Sequence, residues 1–219
     1  MISRAAILLL ASIAALAAAP ARADDMSFRL ATLATRHCGA QCPQVVAAEG
    51  EIVEETPGAF LNFIRSQVGG GRLHSILLLD SPGGKVVASM ELGHALRKLG
   101  MAVIVARVGP ESGDLVSGRC YSACVYALMG GRKRVIPPQS SVGVHRMFNY
   151  TSGVNPAGGE PVRERNYDDG GMRKILSRYS AMMGISSDLI AFAERTSPDR
   201  LHLLSAADIA RWRLGSPKL

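Results

Sequence analysis

The run Ile76-Leu77-Leu78-Leu79-Asp80-Ser81-Pro82-Gly83-Gly84 decides how the chain folds. Four consecutive apolar residues are too few for a helix face, and they end at a cluster of turn formers. A short apolar run bounded in this way reads as a strand buried on both faces of a sheet. Pro82 removes an amide donor and fixes φ, which stops the strand there. Gly83 and Gly84 admit backbone geometry, or a close approach, that a side chain forbids. Directly downstream, Val86, Val87, Met90, Leu92, Ala95, Leu96 and Leu99 recur near helical spacing. Strand, glycine turn and helix make half of a parallel crossover, with backbone amides aimed outward from a helix N-terminus. A ligand or a developing anion would sit there.

Working outward, residues 27–33 alternate as a strand, and residues 44–48 read as a second one ended by Gly50. Thr56 and Pro57 open a helix that runs through Phe60, Phe63, Ile64 and Val68 and stops at Gly69-Gly70-Gly71. On the other side, Gly100 ends the second helix and residues 101–106 form another apolar strand. Strand and helix alternating at this spacing predict an α/β fold with a parallel sheet covered by helices. Residues 108–118 read as a loop. Residues 120–124 then lead into an apolar helix through Met129, and residues 141–144 form a short strand with His145 at its end. Residues 148–165 are rich in Gly, Asn, Pro and Ser without periodicity, and read as a mobile surface excursion placed to cover a cleft. Helices over 172–183 and 186–193, and a short one from a Ser205 cap to Trp212, complete the chain.

Residues 1–23 carry one early positive charge, Arg4, then an apolar run, then Pro20 and the small-x-small triplet Ala21-Arg22-Ala23. This is the pattern of a secretory signal peptide cleaved before Asp24, with residues 24–219 as a single domain. The expected location is the periplasm or the medium, and no later segment is long enough to span a membrane. The formal charge of +7 falls by two when Arg4 and Arg22 leave with the leader. Scattered basic residues and few aromatics argue against a nucleic-acid partner.

Four cysteines stand as Cys38-x3-Cys42 and Cys120-x3-Cys124. In an exported chain an even count implies disulfides, and three connectivities are open. Pairing within each motif is the first choice. A zinc site around His37, Cys38 and Cys42 lacks the usual spacing, so no metal is expected.

Ser122 falls at or near a helix N-terminus. A serine there is an ordinary N-cap, or a nucleophile whose developing charge faces the positive helix end. The G-x-S-x-G elbow of α/β-hydrolases is absent. A lone histidine such as His145 is, by itself, more often structural than catalytic.

Taken together, these stretches resemble the Clp protease proteolytic subunit and its crotonase-like superfamily. The matching features are Asp80-Ser81-Pro82-Gly83-Gly84 after a buried strand, Tyr121-Ser122-Ala123 opening the next helix, and Gly143-Val144-His145 ending a strand. Asp199 ahead of Leu204-Ser205-Ala206-Ala207-Asp208, and Glu49-Gly50-Glu51-Ile52, extend the match. The similarity covers about residues 45–214 and is greatest to the exported Clp-like branch.

The resemblance implies a parallel sheet of repeated ββα units and a serine peptidase. It implies Ser122 as nucleophile, His145 as base and Asp199 as the acid that orients it, with Gly84 and Ala123 supplying the oxyanion amides. Asp199 stands two residues further from Ser205 than that pattern expects. The implied substrate is a polypeptide and no cofactor is needed. No P-loop is present, and an ATPase partner would lack ATP outside the cytoplasm, so none is expected; a homo-oligomer is left open. Three alternatives stand beside it. They are a Ser–Lys dyad with Lys174 as base, a crotonase-like acyl-CoA enzyme, and a non-catalytic Clp-like binding module.

Overall fold

The computed structural model describes residues 24–33, 42–67, 73–109, 114–155 and 158–218. The expected leader over 1–23, Cys38 and the expected Gly69-Gly70-Gly71 stop lie outside these residues. Among the described residues no helix is long and apolar enough to cross a membrane.

The opening run is β3 (Leu73–Asp80), and Leu77, Leu78 and Leu79 are all fully buried. Side chains alternate across a strand, and here both directions lead into apolar material. Leu77 and Leu79 join a large core with Val46, Ala48, Val103 and Val105, whereas Leu78 joins Val45, Ala47, Ile104 and Ala106 on the opposite face. Each such leucine contributes about 1.5–3 kcal/mol on leaving water. That two-sided burial is why the run is continuous rather than alternating.

The main sheet takes its order from this strand. β2 (Gln44–Glu49) and β4 (Ala102–Val108) flank β3 in parallel, with Val46 beside Leu77 and Leu77 beside Val103. β7 (Lys133–Val135) continues the parallel set next to β4. Two strands run the other way: β1 (Ser27–Thr32) against β2, and β5 (Leu115–Ser117) against the end of β4. β5 lies in the stretch expected to be loop; three residues pairing with β4 are too short to show a period.

Helices α1 (Thr56–Gln67), α2 (Val86–Lys98) and α3 (Cys124–Met129) carry the large core. In α2, Ala88, Ser89, Leu92, Gly93 and Leu96 form the buried stripe. Every residue of α3 is buried. Helices α4 (Gly171–Met182) and α5 (Asp188–Ala193) pack beside it, and α6 (Ala206–Arg211) closes the chain with a Ser205–Asp208 capping box.

A second, smaller sheet positions the site. β6 (Arg119–Tyr121) lies parallel to β8 (Ser141–Val144), which pairs with β11 (His202–Leu203). The end of β3 reaches this sheet: Ser81 N–H donates to Arg119 O at 2.8 Å and Tyr121 N–H donates to Ser81 O at 3.1 Å. The glycine turn after β3 therefore lands beside the end of β6.

The expected aperiodic excursion over 148–165 is corrected by the structure. It is a β-hairpin, β9 (Phe148–Val154) paired antiparallel with β10 (Pro161–Tyr167). No apolar alternation announces it, because it is held by stacking rather than by a core. The Arg163 guanidinium lies 4.4 Å from the Tyr150 ring centre, and that of Arg165 lies 4.5 Å from the Phe148 ring. Such pairs contribute about 0.5–1 kcal/mol each at exposed sites.

Candidate active site

Ser122 occupies the single residue between β6 and the Ala123 N-cap of α3, and its φ is +54°. A non-glycine residue in the left-handed region costs of order 1–3 kcal/mol and persists only where its surroundings impose it. Three restraints do so. Ser122 N–H donates to Gly143 O at 2.9 Å, Val125 N–H donates to Ser122 O at 3.2 Å, and a disulfide joins Cys120 to Cys124 across the turn with 5.3 Å between Cα atoms. Cys42 is also disulfide-bonded, and no free cysteine occurs among the described residues. The Ser122 side chain does not cap α3. The N-cap reading is removed, because the elbow makes Ala123 the N-cap and places Ser122 one residue before it.

The elbow forms without glycines on either side of the serine because Gly83 supplies the room. A Cβ at Gly83 would sit 2.9 Å from Ser122 Cβ and 2.7 Å from Tyr121 O. Gly83 and Gly84 hold φ of +115° and +135°, and a Cβ at Gly84 would overlap the Ile52 carbonyl oxygen. That carbonyl accepts from Lys85 N–H at 2.8 Å, while Ile52 N–H donates to Gly83 O at 2.7 Å. The amides of Gly84 and Ala123 are thus fixed in place, and among the described residues neither has an acceptor.

The parallel register of β6 and β8 brings in the histidine. Tyr121 pairs with Gly143, so one more residue leads to Ser122 and two more lead to His145. Ser122, His145, Gly84 and Ala123 all line one cleft of about 1050 Å³. Ser122 and His145 also border a small recess of about 10 Å³ walled by Val125, Met129, Leu189 and Ile190. His145 Nδ1 lies 2.8 Å from Arg146 O. Among the described residues no hydrogen bond joins Ser122 to His145.

Asp199 does not take the place expected for it. Its carboxylate is two-thirds exposed and pairs with Arg165 Nη1 at 2.6 Å, while the His145 Nδ1 position is filled by a backbone carbonyl. The extra two residues before Ser205 leave Asp199 in the turn ahead of β11. Lys174 lies exposed on α4 and away from the cleft lining. No group of three or more His, Cys, Asp or Glu side chains that could hold a metal occurs among the described residues.

Sequence reasoning missed several cleft residues. Asp24, Asp25 and Glu51 contribute acidic groups, and Lys85 and Arg163 contribute basic ones. Phe148, from the hairpin, stacks 5.9 Å from the His145 ring. Lys85 was legible as the residue after Gly84; the acidic group was not, since it depends on Asp25 bridging to Glu51. The Glu194 side chain, at the end of α5, is 8% exposed. Burial pushes its carboxyl above the usual range, opposed by Met147 N–H and Arg146. Burial likewise raises the Tyr126 hydroxyl at the cleft wall, and the Glu194 charge adds to it.

A serine held at a strained elbow, two unengaged amides and an imidazole on one cleft define a constellation suited to acyl transfer. The fold is mixed α/β, a largely parallel sheet covered by helices. In comparisons with known proteins the sequence matches no family model and no curated protein. Solved structures do match. A serine-to-alanine mutant of the 1510-N membrane-bound stomatin-specific protease aligns over 77% of this chain and 74% of that one, with TM-score 0.52 and 16% identity. A lysine-to-alanine mutant of that protease, in complex with a substrate peptide, aligns over 77% and 70%, with TM-score 0.52 and 17% identity. ClpP1 from Listeria monocytogenes aligns over 80% and 91%, with TM-score 0.48 and 19% identity. At these identities the likeness is one of fold.

Proposed function

We propose that this protein is an exported, ATP-independent serine peptidase with Ser122 as nucleophile and His145 as general base. One observation carries the reading. Gly84 and Ala123, whose amides have no acceptor among the described residues, line the cleft in which Ser122 is held at positive φ.

In this reading Ser122 Oγ attacks a substrate carbonyl carbon and passes its proton to His145 Nε2. The tetrahedral oxygen takes the negative charge and accepts hydrogen bonds from Gly84 and Ala123 N–H, each worth about 3 kcal/mol in the transition state. His145 returns the proton to the leaving amine, and water then releases the acyl group from Ser122 by the reverse sequence. A polypeptide substrate is supported by the fold shared with a protease solved with a substrate peptide. Export is supported by the leader pattern over 1–23 and by the Cys120–Cys124 bridge, which suits an oxidising compartment.

Incubating the mature chain, without nucleotide, with an unstructured protein and mapping new termini by mass spectrometry tests this. Cleavage by wild type that Ser122→Ala and His145→Ala abolish is expected; cleavage surviving in Ser122→Ala overturns it. A second reading is a Clp-like binding module, favoured by the missing Ser122–His145 hydrogen bond. Equal peptide capture by wild type and Ser122→Ala, with no turnover, identifies that case.

A further inference from the structure

We propose that Glu194 is the positioning acid of this site, acting on His145 through one intervening peptide unit. The inference rests on His145 being the base. The His145 Nδ1 contact at 2.8 Å is to Arg146 O, and a carbonyl oxygen can only accept. Nδ1 therefore carries the proton, and Nε2 keeps the lone pair that a base requires.

The same peptide unit continues as Met147 N–H, which donates to Glu194 Oε1 at 3.4 Å. Carboxylate, amide and imidazole form one line. The charge on Glu194 polarises the amide, and the amide oxygen becomes the stronger acceptor for Nδ1–H. The carboxylate thus does at one remove what a directly bonded acid does for an imidazole.

The surroundings hold this line in place. Arg146 N–H donates to Thr196 O at 2.9 Å. The Arg146 guanidinium sits 4.5 Å from the Tyr167 ring centre, with its Nε 3.9 Å from Glu194 Oε2, too far for a hydrogen bond. Glu194 itself is fixed as the C-cap of α5, whose Leu189 and Ile190 wall the recess behind Ser122 and His145. The charged and titratable groups that face Glu194 are Arg146 in the segment between β8 and β9, Asp168 just ahead of α4, Arg173 in the first turn of α4, and the Tyr126 hydroxyl of α3. A carboxylate buried this far without a full salt bridge is costly to keep, and the relay gives it a task.

The test is nitrogen-resolved NMR of 15N-histidine-labelled mature protein, combined with the rate of fluorophosphonate labelling against pH. Wild-type His145 is expected as the Nδ1–H tautomer. Glu194→Gln keeps an acceptor for Met147 N–H but removes the charge. It is expected to lower the His145 pKa and slow labelling by on the order of tenfold, less than the roughly 10²–10⁴-fold a general base supplies. Glu194→Asp, which draws the carboxylate back from Met147, is expected to act in the same direction and serves if the first variant folds poorly. Asp199→Asn is expected to move neither readout. An Nε2–H tautomer in the wild type, or a His145 pKa unchanged in both Glu194 variants, overturns the proposal. A shifted His145 pKa in a protein that never labels upholds the relay and refutes the hydrolase. Ser122-dependent labelling with no Glu194 effect does the reverse.

Discussion

Gly84→Ala is the most informative single change outside the reacting side chains. Its Cβ would overlap the Ile52 carbonyl oxygen and stand 2.8 Å from Ile52 N, and the backbone φ of +135° already disfavours a side chain. A residue forced into such a conformation costs about 1–3 kcal/mol, and overpacking against rigid atoms adds about 1–3 kcal/mol more. The neighbour cannot rotate away, because Ile52 O is the acceptor for Lys85 N–H at 2.8 Å. A loss of about 3 kcal/mol, with a urea slope near 2 kcal/mol/M, lowers the midpoint by roughly 1.5 M. Any relief moves the Gly84 amide, and in the proposed mechanism loss of one oxyanion donor costs about 10²–10³ in rate. Gly58→Ala in α1 is the control. Nothing lies within 4 Å of its added Cβ, so it is expected to stabilise by about 0.5–1 kcal/mol without changing labelling. Urea denaturation followed by fluorescence, with fluorophosphonate labelling at matched folded fraction, reads both effects. A Gly84→Ala protein with the wild-type midpoint and the wild-type labelling rate would refute the reasoning.

Three further outcomes are expected. Replacing both Cys120 and Cys124 by Ser removes the clamp across Ser122 and should destabilise by about 2 kcal/mol, read as a lower urea midpoint together with slower labelling. Lys174→Ala, an exposed side chain on α4, should label at the wild-type rate; a labelling loss there that spares His145→Ala would point to a Ser–Lys dyad. The Asp208 carboxyl is held below the usual aspartate range by the Ser205 hydroxyl and amide. A depressed carboxyl stabilises the fold above its unfolded-state pKa, and that stability is lost as pH falls through the lower, folded value. Asp208→Asn should therefore flatten the acid limb of a thermal-melt series while lowering the neutral-pH melting temperature.

The sheet was legible because its strands bury both faces, which makes Leu77-Leu78-Leu79 and Val103-Ile104-Val105 read as unbroken apolar runs. The glycine turn was legible from Pro82 and its neighbours, although its contact with the Ser122 elbow depends on Ser81 pairing with β6. The hairpin was not legible. Its order comes from arginines stacked on aromatics across the two strands, which composition presents as a polar loop. The acid was misplaced for a related reason. Asp199 matched by order along the chain, but a carboxylate reaches an imidazole only through tertiary geometry, and there it meets Arg165 instead. Glu194 carried a faint signal, a carboxylate directly after the apolar stretch Leu189-Ile190-Ala191-Phe192-Ala193.

Covalent labelling tests the central claim most directly. Wild-type protein treated with a fluorophosphonate probe, digested and sequenced by mass spectrometry should carry the adduct on Ser122. The adduct should be lost in Ser122→Ala and strongly reduced in His145→Ala. No adduct in folded wild type, or one that persists in Ser122→Ala, would contradict the account.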